Sequence, residues 1–318
     1  MNEIEIQNAR SFVKREIMKF LEENDYAEID TPILAKVAIP ESTIALFETM
    51  RSGDTIENEK FYLLPSPELY MKMFISKNKI SVYQFSHCFR NNEQTSRIHS
   101  SEFTMLEYYK VGKDEMYSLS ITEKLFAHMA EFYNIDAFKK PFRKVSMQSI
   151  VKDITGVDLN TISSKEDMRN AAESVGITVY DKSESIDDTF NRIFISLVEP
   201  RLNDKDEVVA IYDYPSFIEC LAENTPNGKY KKRWELYYNG IELANCYKEE
   251  TDIEKIKAYF RKEDALIKKR DNNFKSSSEF IASLLPQSSG VALGFDRFLM
   301  CLLKKTEIKD IIPFGYSL

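Results

Sequence analysis

The chain has 318 residues, of which 43% are hydrophobic and 12% aromatic, enough to bury a large core as one elaborated domain or two ordinary ones. Its formal net charge of −8 excludes a globally basic surface of the kind that binds polyanions. The local runs Lys139-Lys140, Lys231-Lys232-Arg233 and Lys268-Lys269-Arg270 read as solvated surface.

In chain order, residues 8–24 carry Phe12, Val13, Ile17, Phe20 and Leu21 at helical spacing, and Glu28-Ile-Asp-Thr-Pro32-Ile-Leu reads as an edge strand interrupted by proline. Residues 61–65 read as a short buried strand ended by Ser66-Pro67-Glu68, after which Leu69 starts a helix. Residues 82–90 alternate, with Val82, Gln84, Ser86, Cys88 and Arg90 on one face. Residues 102–111 repeat the pattern and place Glu107 among Phe103, Met105, Tyr109 and Val111. Two antiparallel strands joined by a polar loop are expected. From about 114 to 205 the pattern is mostly helical, with Ser163, Ser164 or Asp187 as caps, and about 145–206 reads as a small helical insertion in a single domain spanning 1–318. Strand signals return at 208–215 and 234–244, and Thr251-x-x-Glu254 reads as the capping box of a helix reaching Arg270.

The four cysteines, Cys88, Cys220, Cys246 and Cys301, are scattered, with no C-x-x-C and no histidine at ligand spacing. That argues against a zinc site or a disulfide framework and for a reducing compartment. The first residues carry no apolar segment of a targeting signal, and the run Phe298 to Leu303 is too short to span a bilayer, so a cytoplasmic protein without a membrane partner is expected.

Asn239-Gly240 is the strongest hairpin signal, since both residues tolerate the positive φ of a two-residue turn. That loop sets Tyr238 opposite Ile241, Tyr237 opposite Glu242 and Glu235 opposite Ala244, so Glu235 and Glu242 share one face as diagonal neighbours. Two such carboxylates repel unless a cation lies between them, and Mg²⁺ carried by nucleotide phosphates suits oxygen ligands. In Gly290-Val-Ala-Leu-Gly294-Phe-Asp-Arg297, the residues Gly290, Ala292 and Gly294 fall on one face and Val291, Leu293 and Phe295 on the other. The small face would let a ligand press on the backbone while the bulky face fills a core.

Phe89-Arg90 leading to His99-Ser-Ser-Glu102-Phe103-Thr104, together with Gly290 to Arg297, resembles motifs 2 and 3 of the class II aminoacyl-tRNA synthetases. The early helix, strand and Pro32 resemble motif 1, the dimer element. The strings Glu102-Phe-Thr-Met-Leu-Glu107, Gly240-Ile-Glu-Leu-Ala-Asn245 and Ser289-Gly-Val-Ala-Leu-Gly294 are similar to those of a truncated lysyl-tRNA synthetase paralogue family, the elongation factor P (β-)lysyltransferases.

The resemblance implies an α+β fold, an antiparallel sheet flanked by helices, and a homodimer. It implies an ATP-dependent ligase that activates lysine or β-lysine as an adenylate and transfers it to a lysine of elongation factor P. Motif 1 begins at once, so no N-terminal anticodon-binding barrel and no anticodon-dependent tRNA binding are expected. By the resemblance Arg90 and Arg297 are catalytic. Arg90, Asn92, Glu93, Arg97, His99, Phe103, Glu235, Leu236, Gly294 and Arg297 would bind ATP, with the choice between Asn92 and Glu93 at adenine left open. Ser66, Glu68, Glu107, Tyr109, Glu242, Asn245, Glu249 and Ala292 would bind the amino acid, and Glu235 and Glu242 the Mg²⁺. A minimal tRNA-charging synthetase, a ligase making a free product such as asparagine, and a silent regulatory paralogue are the other readings. The presence of Arg90, Arg297, Glu235 and Glu242 speaks against silence.

Overall fold

A computed structural model of the chain describes residues 1–53, 56–91, 96–181, 183–203, 206–269, 271, 274, 276–277 and 285–312. Helix α1 (Glu3–Glu23) begins at a capping box in which Asn2 accepts from the Glu5 amide while the Glu5 side chain accepts from the Asn2 amide. It buries Val13, Ile17 and Leu21, one residue per turn. The proline-interrupted strand divides in two. β1 (Ala27–Glu28) and β2 (Leu34–Ala35) join different sheets, because Pro32 supplies no amide to continue a ladder.

β2, β3 (Phe47–Gly53) and β4 (Ile56–Leu63) form a three-stranded sheet of order β2-β4-β3. Helix α2 (Glu68–Asn78) follows, and then β5 (Val82–Phe89) and β6 (Glu102–Val111) pair antiparallel. α3 (Glu115–Tyr133), α4 (Asp136–Lys139) and β7 (Arg143–Ser146) lead to the segment 147–203. That segment holds α5 (Met147–Thr155), α6 (Lys165–Ser174), α7 (Ile186–Ile193) and one π-helical turn, Phe194–Val198. The side chains of Ser164 and Ser185 accept from amides in the first turns of α6 and α7. β8 (Val208–Pro215), β9 (Tyr230–Tyr238) and β10 (Ile241–Lys248) return the chain to the sheet, and α8 (Ile253–Lys268), β11 (Ser288–Gly294) and α9 (Phe295–Leu302) complete it. The cap of α8 is Asp252, accepting from the Glu254 amide, and not Thr251, so the expected capping box does not form.

Eight of the described strands form one sheet of order β1-β5-β6-β11-β10-β9-β8-β7. It is antiparallel inside and parallel only at its two edge pairs, an α+β arrangement. One face is the main core: Tyr83, Leu106, Tyr108, Trp234, Leu236, Val291 and Leu293 pack against α1, α3 and α9. Phe126, Phe138 and Phe298 stack within it, with ring centroids 4.6–5.9 Å apart. Truncating one such ring typically costs about 3–5 kcal/mol. The 147–203 helices close a second core against Val209, Ile211 and Tyr237 on the opposite face, and so wall one side of the open half of the sheet.

Candidate active site

The open face of the sheet carries the polar residues in rows. Paired residues of neighbouring strands point the same way, and register links Gln84, Glu107, Ala292, Asn245 and Glu235 across five strands. The adjacent row is Tyr109, Gly290, Tyr247 and Arg233. Between Glu242 and Ala244 the ladder slips at a bulge, so Glu235 faces Asn245 and not Ala244 as regular alternation required. The slip has a chemical result. Glu242 and Asn245, three apart and on opposite faces of a regular strand, both line the cleft, while Leu243 turns into the core.

Asn239 and Gly240 take the expected left-handed conformations, with φ of 50° and 69°. Gly290 is small for a different reason than the one expected. A Cβ there would lie 2.2 Å from Cε1 of Tyr109, so it is a tyrosine ring, not a ligand, that presses on this backbone.

Two cavities meet on this face. The larger, about 1470 Å³, is lined among others by Ser66, Glu68, Glu107, Tyr109, Asn245 and Glu249. The smaller, about 260 Å³, is lined by Phe103, His99, Gly294 and Arg297. Arg90, His99, Glu242, Asn245 and Ala292 line both and so mark the junction. The Arg90 guanidinium lies 5.2 Å from the Phe103 ring centroid. Arg297 donates to the carbonyls of Ile98 and Glu242, each at 3.1 Å, which ties the 96–99 segment to β10. His99 Nδ1 sits 2.8 Å from the Ser96 hydroxyl.

The larger cavity is acidic at its floor. Tyr109 donates to Glu107 at 2.6 Å. Burial, with the charge of Glu68 beside it, pushes the Glu107 carboxyl up to about 8. Glu107 Oε2 and Asn245 Oδ1 are buried acceptors that meet no donor among the described residues. An acceptor in that state wants an N–H, and an ammonium group supplies three. Burial also lifts Glu249, while Lys72, 2.6 Å away, pulls it back.

Glu235 and Glu242 do share a face. Burial and the charge of Glu235 push the Glu242 carboxyl upward, the signature of crowded negative charge that a cation would relieve. Among the described residues no cluster of three or more metal-ligating side chains occurs. A carboxylate pair alone is the donor set magnesium uses when phosphates and water complete its shell. Glu235 is also engaged by the protein. Its Oε2 accepts from Tyr214 and Tyr237, each at 2.6 Å, and its Oε1 is paired with Arg233, so a metal ion would compete with that guanidinium.

Other expected site residues fall differently. Leu236 points into the main core, its side chain fully buried on the face opposite Glu235, so it offers ATP no side-chain contact. Arg97 is exposed and lines neither cavity; its carbonyl accepts from Ile308 at 2.7 Å. Asn92 and Glu93 lie outside the described residues. Arg233, read as solvated surface from its basic run, is stacked in the cleft 4.6 Å from the Tyr214 ring centroid.

Lys72, Tyr214, Tyr237 and Glu41 also belong to the site without being among the expected binding residues: Glu41 and the two tyrosines line the larger cavity, and Lys72 pairs with Glu68 and Glu249. Lys72 follows Glu68 by one helical turn, a spacing that was legible. Tyr214 carried no local signal, because only tertiary structure brings β8 to Glu235, whereas Tyr237 stands two residues along β9 from Glu235 and shares its face by simple alternation. Arg10 on α1 was missed as well. It donates to Asp296 and Thr104, and Asp296 accepts from the Thr104 amide at 2.6 Å, joining α1 to the start of α9 and to β6.

Residues 3–317 match the family model of the class II tRNA synthetases (D, K and N). The chain is 31% identical over 314 residues to the Elongation factor P--(R)-beta-lysine ligase of Proteus mirabilis (strain HI4320), covering 94% of this chain and 91% of that protein. It is 30% identical over 322 residues to the protein of the same name from Buchnera aphidicola subsp. Acyrthosiphon pisum (strain Tuc7), covering 96% and 93%. A third, from Pasteurella multocida (strain Pm70), is 28% identical over 313 residues, covering 96% and 94%. With the motif 2 strands, the motif 3 strand and helix, and the paired acids on one sheet face, the chain belongs to the class II tRNA synthetases (D, K and N).

Proposed function

We propose that this chain is an ATP-dependent ligase that condenses lysine or β-lysine with ATP to an aminoacyl-adenylate and passes the acyl group to a lysine side chain of elongation factor P. The observation that carries the reading is the pair of buried acceptors, Glu107 Oε2 and Asn245 Oδ1, that meet no donor among the described residues, in a cavity lined by Glu68 and Glu249 that meets an arginine-lined cavity at Arg90. A guest with two ammonium groups answers the acids, and its carboxylate would lie toward the junction.

In this reading the substrate carboxylate oxygen attacks the α-phosphorus of ATP and pyrophosphate leaves. Arg90 and Arg297 balance the charge on the five-coordinate phosphorus. Phe103 and Arg297 would flank adenine, with His99 closing over the nucleotide. Glu242, with Oε1 of Glu235, would hold a magnesium ion, which when bound neutralises phosphate charge. The neutral ε-amine of the acceptor then attacks the acyl carbon and AMP leaves. No covalent enzyme intermediate is required, so the side chains act by positioning and charge.

A homodimer is part of the proposal, supported by exposed Ile33 and Leu34 beside Pro32 and exposed Met50 on β3. So is a cytoplasmic location, supported by four unbridged cysteines. Among the described residues no helix is long and apolar enough to cross a membrane.

Intact-mass measurement of purified elongation factor P, incubated with enzyme, ATP and either isomer, tests the reading. A gain of one lysyl unit that needs both ATP and the amino acid is expected; no gain with either isomer rejects it.

A further inference from the structure

Lys72 lies on the inner face of α2, its side chain fully shielded from solvent. Its ammonium meets Glu68 Oε1 at 2.5 Å, one turn back on the same helix, and Glu249 Oε2 at 2.6 Å, just beyond β10. A lysine so buried persists only when its charge is answered, since an isolated ammonium in a dry interior is too costly to keep. Burial works against the charge here, and Glu249 and Glu68 outweigh it, holding the lysine well above its ordinary value. The same two acids line the cavity assigned to the amino acid.

Glu68 and Glu249 stand on separate elements. Glu68 opens α2, which packs beneath β5, while Glu249 is tied by its amide to Ser288 at the start of β11. Across from them Glu107 and Tyr109 rise from β6, Glu41 comes from the 39–46 loop, and Arg90 follows directly on β5. Of these charges, Lys72 is the cation placed between Glu68 and Glu249. Without it, the half-buried Glu68 and the buried Glu249 would face each other and Glu107 with no cation between the first two.

We propose that Lys72 is a positioning residue for amino-acid selection: its buried ammonium clamps Glu68 to Glu249 and holds the two carboxyl groups at a fixed separation for the ammonium groups of the substrate. The clamp works through these acids and does not touch ATP. The proposal rests on the lysine-activating reading above. It goes further by locating the origin of side-chain selectivity in a residue behind the pocket wall.

The test is pyrophosphate exchange by wild type, Lys72→Met and Lys72→Gln, with lysine, β-lysine and norleucine, the last lacking the side-chain ammonium. For Lys72→Met the KM for lysine or β-lysine should rise by about tenfold or more, the scale of one charge-assisted hydrogen bond. The KM for ATP should stay within about twofold, and discrimination against norleucine should shrink. The acid limb of kcat/KM for the amino acid should move to higher pH, because Glu249 loses the cation that pulls its carboxyl down. A purely structural lysine would lower thermal stability and change neither the norleucine ratio nor the pH limb, and that result overturns the proposal. If Lys72→Met does not bind ATP as a folded protein, Lys72→Gln, polar but uncharged, decides. A raised amino-acid KM with unchanged ATP KM supports the clamp, and wild-type values for both reject it. Wild type that exchanges with neither lysine nor β-lysine would instead overturn the proposed function.

Discussion

Glu242 and Arg90 sit where the two cavities join, so their loss should be felt in chemistry more than in folding. Glu242→Gln or Arg90→Ala is expected to reduce lysine-dependent pyrophosphate exchange on the order of 10²-fold, as removal of one charge-stabilising contact does elsewhere. Exchange near the wild-type rate in either variant would remove that residue from the catalytic assignment. Glu107 carries a pH signature. With its carboxyl pushed up to about 8 by burial and by Glu68, the folded protein holds a proton that the unfolded chain releases near the ordinary value of 4.5. Its contribution to stability is therefore fully present below that ordinary value and is lost as pH rises through about 8. Thermal unfolding of the ligand-free protein should show a falling Tm across this range, and Glu107→Gln should flatten it; an equal slope in both would assign the proton elsewhere. Arg90, Glu107 and Arg297 were legible because each sits in a string with fixed local geometry. Lys72 and Arg233 were not singled out, since burial, which sequence does not display, turns a surface cation into part of a site.

At the scale of elements, β11 sets the shape of the amino-acid pocket from two of its positions. Gly290→Ala would bring a methyl to 2.2 Å from the Tyr109 ring, forcing that ring and its hydrogen bond to Glu107 to move. The expected result is a rise of about tenfold or more in the KM for the amino acid with little change for ATP, read by steady-state exchange. Equal KM values in wild type and variant would mean that Tyr109 does not contact the substrate. Ala292 stands in register between Glu107 and Asn245, so its methyl lies between an acid and an amide of the pocket. An extra methyl in a tight pocket rejects a ligand by about 1–3 kcal/mol. α-Lysine carries its ammonium next to the reacting carboxylate, whereas β-lysine carries it one carbon further. Ala292→Gly should therefore raise kcat/KM for α-lysine relative to β-lysine; an unchanged ratio would reduce Ala292 to a packing residue. The alternation of β5, β6 and β11 and the Asn239-Gly240 turn could be read from period and turn chemistry. The bulge after Glu242 could not, because a two-against-one pairing is decided by how β9 and β11 flank β10 and not by any residue within it.

At the scale of the molecule, the net charge of −8 disfavours close approach of a polyanion. Labelled lysine is accordingly expected on elongation factor P and not on purified tRNA incubated with the same enzyme and ATP; efficient tRNA charging would overturn this. The strand pairs and the arginine and carboxylate strings follow from the sequence itself, because periodicity, turn residues and motif spacing are local properties that survive without knowledge of contacts, and the α+β class came with the family resemblance those strings carry. Pro32 was legible as an interruption, but that its two sides enter separate sheets depended on the whole topology. Likewise Glu235 was legible as one of two acids on a shared face. Tyr237 and Arg233 stand two residues either side of it on β9 itself, but its engagement by Tyr214 came only with the pairing of β8 to β9, since strand order and register fix that partner. The Lys72 clamp has the same origin: its two acids are 181 residues apart in sequence, Glu68 to Glu249, and only folding makes their charges converge on one ammonium.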